Sequence, residues 1–226
     1  MTTLLLLPGL HGTAELFAPL RASLSALSEG VGVSVAEFPF AATDYAQVES
    51  AVSLPEGRIA LLAESFSGPL AIRLAVRLKA EGRLSALILV ATFARSPVRW
   101  FPWWLVPKWA PVPPLAIAVR LLLGSDADPE RVRELAIVIK RIPPKTALAR
   151  LRTVARCDER ARLSQLIGVP TLYLQARDDL VVGPRALEDF APLRPQVQVL
   201  HAPHLVLQTC PRDCAQAIRE FLSAHR

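Results

Sequence analysis

Lysine is scarce in this chain. Lys79, Lys108, Lys140 and Lys145 are its only lysines, and arginine carries most of a formal charge of +6 over 226 residues. Several arginines alternate with acids on helix-like stretches, as in Pro129-Glu130-Arg131-Val132-Arg133-Glu134. That pattern suits a solvated helix face. No basic stripe or nucleic-acid module accompanies it, so a nucleic-acid partner is not expected. Cysteine is scarce as well. Cys157, Cys210 and Cys214 form neither a disulfide framework nor a metal-ligand spacing with histidine. No cysteine–histidine metal site is therefore expected. Long hydrophobic runs are missing too, none approaching the ~20 apolar residues of a spanning helix. The opening, Met1-Thr2-Thr3-Leu4-Leu5-Leu6-Leu7-Pro8-Gly9, lacks the basic leader of a secretory signal. A cytoplasmic protein with reduced thiols is the expectation.

Apolar residues are plentiful: 52% of the chain is hydrophobic and the mean hydropathy is +0.33. The length suits one domain with a large core. Apolar runs at Leu4 to Leu7, Gly32 to Phe38, Ile59 to Leu62 and Leu84 to Val90 alternate with helical patterns. The alternation resumes at Thr171 to Gln175 and Val197 to Leu200, and a final amphipathic helix spans Pro211 to Ala224. Strand–helix alternation predicts an α/β fold, a mostly parallel sheet of about six strands with helices on both faces. Between Arg95 and Ile142 there is no strand candidate. This middle reads as a helical cap inserted into the core, which divides the chain into 1–94 (core), 95–144 (cap or lid) and 145–226 (core).

The stretch that organises the chain is Leu61-Leu62-Ala63-Glu64-Ser65-Phe66-Ser67-Gly68-Pro69-Leu70. A buried strand leads into it, and a helix with Pro69 in its first turn leads out. Ser65 stands at the corner. A nucleophilic serine benefits from this position, because its hydroxyl is held clear of the sheet. The N–H of Phe66 and the helix N-terminus then face the place where an oxyanion would form. The small residues that crowding demands on either side of such a serine are Ala63 and Ser67 here, in place of two glycines.

In an open α/β sheet, ligands bind beyond the carboxyl ends of the strands. Gly9-Leu10 follows the first strand, Ser65 the third, Asp178 and Asp179 the fifth, and His204 the sixth. Serine, acid and histidine thus come in the order that acyl-transfer chemistry uses on such a scaffold. The imidazole takes the serine proton, and the carboxylate fixes the imidazole tautomer. Asp178 is the preferred acid, with Leu180-Val181 packing the loop and Asp179 solvated; Asp179 is the rival. His204 is the preferred base, with His201 as its rival at the strand end.

Together, Pro8-Gly9-Leu10-His11-Gly12-Thr13, Ala63-Glu64-Ser65-Phe66-Ser67-Gly68, Arg177-Asp178-Asp179-Leu180-Val181 and Ala202-Pro203-His204 resemble the α/β-hydrolase superfamily. The likeness is to its small bacterial esterase and lysophospholipase-like members. The resemblance implies Ser65 as nucleophile, Asp178 and His204 as partners, and an oxyanion hole from the N–H groups of Leu10 and Phe66. His11 departs from the resemblance, standing where an aspartate is expected. A serine nucleophile makes a small acyl ester the expected substrate, with thioester hydrolysis or acyl transfer as alternatives; a non-catalytic binding protein on the same fold is the other class. All four tryptophans, Trp100, Trp103, Trp104 and Trp109, share one proline-rich stretch. The segment either packs onto the core or forms a lid in which Trp103 and Trp104 bind the acyl chain. In the second case it also offers peripheral contact with a lipid surface.

Overall fold

Leu4 to Leu7 has no polar break, and it forms the buried part of β1 (Thr2–Leu7), an interior strand of a six-stranded sheet. The computed structural model describes residues 2–25, 31–98 and 115–225. The other strands are β2 (Val31–Val35), β3 (Arg58–Glu64), β4 (Leu84–Val90), β5 (Thr171–Ala176) and β6 (Gln196–Leu200). Their order is β2-β1-β3-β4-β5-β6, and every neighbouring pair is parallel. β2 is shorter than the sequence pattern predicts. Beyond Val35 the chain still follows β1 for one bond, Ala36 N–H to Leu6 O, and then turns across the strand ends.

Burial on both faces explains why β1, β3 and β4 read as continuous apolar runs, whereas β6, at the sheet edge, is exposed from Gln196 to Val199. Leu5, Leu7, Leu61, Ala63, Leu87 and Leu89 point to one face, under α2 (Tyr45–Ala51) and α3 (Ser67–Ala80). Leu4, Leu6, Ala60, Leu62, Ala86 and Ile88 point to the other, under α1 (Ala18–Ser25) and α9 (Pro211–Ala224). Each fully buried leucine contributes about 1.5–3 kcal/mol relative to exposure. The sheet is therefore the rigid base of the molecule.

The chain leaves β1 outward to β2 and then returns to the opposite side of β1 as β3. The direction of winding reverses between β1 and β3, and a crevice opens at their carboxyl ends. Leu7 of β1 is paired there with Ala63 of β3, so Pro8-Gly9-Leu10 and Ser65 emerge side by side.

In the middle of the chain, α4 (Leu115–Leu123) and α5 (Pro129–Arg141) form a helical pair. Leu123, Leu135 and Val138 pack on Leu16 and Leu205, and Leu205 N–H donates to Leu122 O at 3.0 Å. The helices thus rest on the loop that follows β6. Asp128 caps α5 by accepting from Glu130 N–H. Pro144 stands in the first turn of α6 (Pro144–Arg156), where its missing N–H costs nothing. The short α7 (Arg160–Leu163) and a 3-10 turn then lead to β5, and α8 (Val206–Thr209) precedes α9.

The tightest approach in the core lies at the start of α3. A Cβ on Gly68 would stand 2.1 Å from Thr92 Oγ1 and 2.7 Å from Phe93 O. Gly68→Ala should therefore lower the free energy of unfolding in urea by about 1–3 kcal/mol. Gly183, with nothing within 4 Å of such an atom, is the control. Gly183→Ala should be neutral or stabilising by up to about 1 kcal/mol. Equal effects at the two positions would contradict the close approach.

Candidate active site

Ser65 ends β3 with a left-handed backbone, φ 49°, which a residue carrying a Cβ adopts only under constraint. The constraint is a set of hydrogen bonds. Ser65 N–H donates to Val90 O at 3.0 Å, and Ser65 O accepts from Gly68 N–H at 3.1 Å and from the Thr92 hydroxyl. Next to it, Phe66 O accepts from the Tyr45 hydroxyl at 3.0 Å, and the two rings stack with centroids 4.9 Å apart. Ser67 Oγ donates to Pro8 O and ties the corner to the turn after β1.

His204 is nearly sealed, 1% exposed, and uses both ring nitrogens. Its Nε2 lies 2.7 Å from Ser65 Oγ, and its Nδ1 lies 2.8 Å from Asp179 Oδ2. A carboxylate beside Nδ1 places the ring proton there and leaves Nε2 free to accept from the serine. The rival His201 is exposed, and its Nε2 meets Arg177 Nη1 at 3.0 Å.

The acid differs from the expectation. Asp179, and not Asp178, reaches His204. Asp178 N–H still pairs with Ala202 O, so Asp178 prolongs the β5–β6 ladder and its side chain is exposed. Asp179 is the residue at which the chain turns. Its Oδ1 accepts the N–H groups of Val181 and Val182 at 2.7 and 2.8 Å, while Oδ2 holds the histidine. Its side chain is only 3% exposed. Leu180, expected to pack the loop, is instead 65% exposed. Asp178 lines a separate cavity of about 850 Å³ with Asp126, Arg131, Pro203 and Arg212; neither Ser65 nor His204 is among its lining residues.

Carbonyl groups around the serine are occupied. Gly9 O accepts from Gly12 N–H at 3.1 Å, Leu10 O from Arg150 Nη1 at 2.7 Å, and Pro8 O from Ser67. The N–H groups of Leu10 and Phe66 donate to no other group among the described residues. Trp103 and Trp104 lie outside the described residues, as does the whole stretch from Trp100 to Trp109.

A second polar cluster lies beneath the first. Glu64, 1% exposed, accepts from Gln208 Nε2 at 2.9 Å, and its other oxygen is 3.9 Å from His11 Nε2. Thr13 N–H donates to His11 Nδ1 at 3.2 Å, which places the ring proton on Nε2, toward the carboxylate. At that distance the two are not hydrogen-bonded, and His11 Nε2 and Glu64 Oε2 are both buried without a hydrogen-bond partner among the described residues. Sequence reasoning missed Glu64, Gln208 and Arg150. A buried charge in the elbow is their one legible signal, since Glu64 follows a run of five apolar residues. No group of three or more metal-ligating side chains occurs among the described residues. No described helix is long and apolar enough to cross a membrane.

A family model described as "Serine aminopeptidase, S33" (Hydrolase_4) matches residues 25–199. Compared with curated proteins, the chain has no significant match. Among solved structures, the enol-lactonase from Burkholderia xenovorans LB400 is similar with a TM-score of 0.77 at 17% identity, over 98% of this chain and 91% of that one. A lipase-esterase related protein from Clostridium acetobutylicum ATCC 824 gives 0.78 at 15% identity, over 97% and 94%. A thermophilic esterase from Thermogutta terrifontis gives 0.74 at 23% identity, over 100% and 91%.

The hydrogen bond to Asp179 makes a spectroscopic prediction. The His204 Nδ1 proton should resonate far downfield in the proton NMR spectrum. It should persist in Asp178→Asn and vanish or move upfield in Asp179→Asn. The reverse pattern would return the acid to Asp178.

Proposed function

Because the chain belongs to the serine aminopeptidase S33 (Hydrolase_4) family of the α/β-hydrolase superfamily, we propose that it is a serine hydrolase of carboxylic esters working through an acyl-enzyme. One observation carries the reading: Ser65 Oγ, the His204 ring and the Asp179 carboxylate form an unbroken line at 2.7 and 2.8 Å. Family membership supports hydrolase chemistry, and the side chains supply the mechanism.

His204 Nε2 takes the Ser65 proton as Oγ attacks the ester carbonyl. The tetrahedral oxyanion is held by the N–H groups of Leu10 and Phe66. Asp179 holds the imidazole tautomer and stabilises the imidazolium. The imidazolium then protonates the departing alcohol, leaving Ser65 acylated. A water molecule, deprotonated by the same nitrogen, attacks the acyl carbon. Ser65 leaves, recovers its proton from His204, and the carboxylic acid is released. This sequence needs no metal or organic cofactor. The substrate it implies is a small acyl ester, with Trp103 and Trp104 assigned to the acyl chain from their place in the sequence.

A series of p-nitrophenyl esters of graded chain length tests the reading. Ser65→Ala should lower kcat by several orders of magnitude while the protein stays folded. Asp179→Asn should cost about 10³–10⁴-fold, because asparagine favours the wrong imidazole tautomer. Asp178→Asn should stay within about threefold, in keeping with a surface change. Wild-type turnover in Ser65→Ala would remove the nucleophile, and preferential cleavage of aminoacyl anilides would redirect the reading to a peptidase. Trp103→Ala and Trp104→Ala should reduce kcat/KM for medium and long esters more than for acetate. Equal losses at all lengths would remove the acyl-binding role.

A further inference from the structure

Arg150, in the second turn of α6, is the largest fully buried side chain among the described residues, at 0% exposure. A cation so placed ordinarily has a carboxylate partner, since an isolated buried charge is costly. No carboxylate pairs with Arg150 among the described residues. Four of its five N–H donors go to backbone carbonyls instead: Nε and Nη2 on Ala42 O at 3.1 and 3.0 Å, Nη2 on Pro39 O at 2.9 Å, and Nη1 on Leu10 O at 2.7 Å. Carbonyl dipoles solvate the charge without neutralising it. The chain makes room for it as well. Gly12 has φ +77°, and a Cβ there would stand 2.7 Å from Nη1.

Two of the contacts lead to the active site. The guanidinium carbon is 6.0 Å from the centre of the Phe66 ring, close enough for cation–π attraction, and Nη1 fixes the carbonyl of Leu10. Leu10 and Phe66 are the two residues assigned to the oxyanion hole. One side chain therefore bonds to the first of them and lies over the ring of the second, and its positive charge has no carboxylate partner among the described residues.

We propose that Arg150 is a positioning residue for the oxyanion hole, holding Leu10 and Phe66 in register and adding positive potential behind their N–H groups. This rests on the serine-hydrolase reading. Misplacing one donor by less than an ångström is costly. Loss of a single donor from such a hole costs about 10²–10³ in kcat, and a 1 Å displacement about 10². Arg150→Met removes charge and fork together. Arg150→Lys keeps the charge and loses the fork.

The test counts competent sites before it measures rate. Wild type, Arg150→Lys and Arg150→Met are titrated with a fluorophosphonate that labels the nucleophilic serine, and kcat and KM for p-nitrophenyl butyrate are expressed per labelled site. A merely structural role would lower the labelled fraction and leave kcat per site unchanged. The expectation is a fall in kcat per site of about 100-fold for Arg150→Met and about 10-fold for Arg150→Lys, with KM within about twofold. Affinity for a butyl trifluoromethyl ketone, whose adduct carries an oxyanion, should fall in parallel with kcat/KM. If Arg150→Met does not fold, Arg150→Lys decides the matter alone. Values of kcat per site within about twofold of wild type would overturn the proposal while leaving the hydrolase intact. Failure of wild type to be labelled at Ser65 would overturn both.

Discussion

The left-handed backbone of Ser65 depends on how closely α3 can approach β4. Gly68 lets the helix start against Thr92, and the Thr92 hydroxyl then reaches the carbonyl of Ser65. The strained corner is stabilised by a base that is buried on both faces, with Leu61, Leu62 and Ala63 at 0% exposure. Strain at one residue persists because its surroundings over-determine it.

Around that corner the chain builds a layered support. Ser65 meets His204, which meets Asp179, and Asp179 is held by the N–H groups of two consecutive valines. Beneath them, Gln208 joins the helix after the histidine to Glu64 of the elbow and to the carbonyl of Leu16, and His11 of the turn after β1 lies 3.9 Å from Glu64. Behind them, Arg150 joins that turn to Phe66 and to the segment between β2 and α2. Each loop of the site is therefore fixed to at least one other by a buried polar contact. Within the lower cluster His11 Nε2, Glu64 Oε2 and Gln208 Oε1 are buried without a hydrogen-bond partner among the described residues, so that part of the network is only partly satisfied and costs stability.

Much of this was legible in the residues. Unbroken apolar runs marked β1, β3 and β4 because each is buried on both faces, and Ser65 and His204 were marked by their places after β3 and β6. The acid was misread by one position. Asp178 and Asp179 both follow β5, and the ladder continues one residue past the strand, so that Asp178 faces outward and Asp179 makes the turn. Nothing in Asp178-Asp179-Leu180-Val181 reveals where pairing stops. Arg150 was hidden for a different reason. It lies in Arg150-Leu151-Arg152-Thr153-Val154-Ala155-Arg156, where an inward arginine looks like its outward neighbours. Only the tertiary placement of Leu10, Pro39 and Ala42 tells them apart.

The central claim is that Ser65 Oγ becomes covalently acylated during turnover. Rapid acid quenching of the protein while it consumes p-nitrophenyl butyrate, followed by peptide mass spectrometry, reads this directly. The account predicts a butyryl group on the peptide containing Ser65, formed with a burst of p-nitrophenol and absent in Ser65→Ala. Steady turnover with no butyryl group on that peptide, and with the rate unchanged in Ser65→Ala, would contradict it.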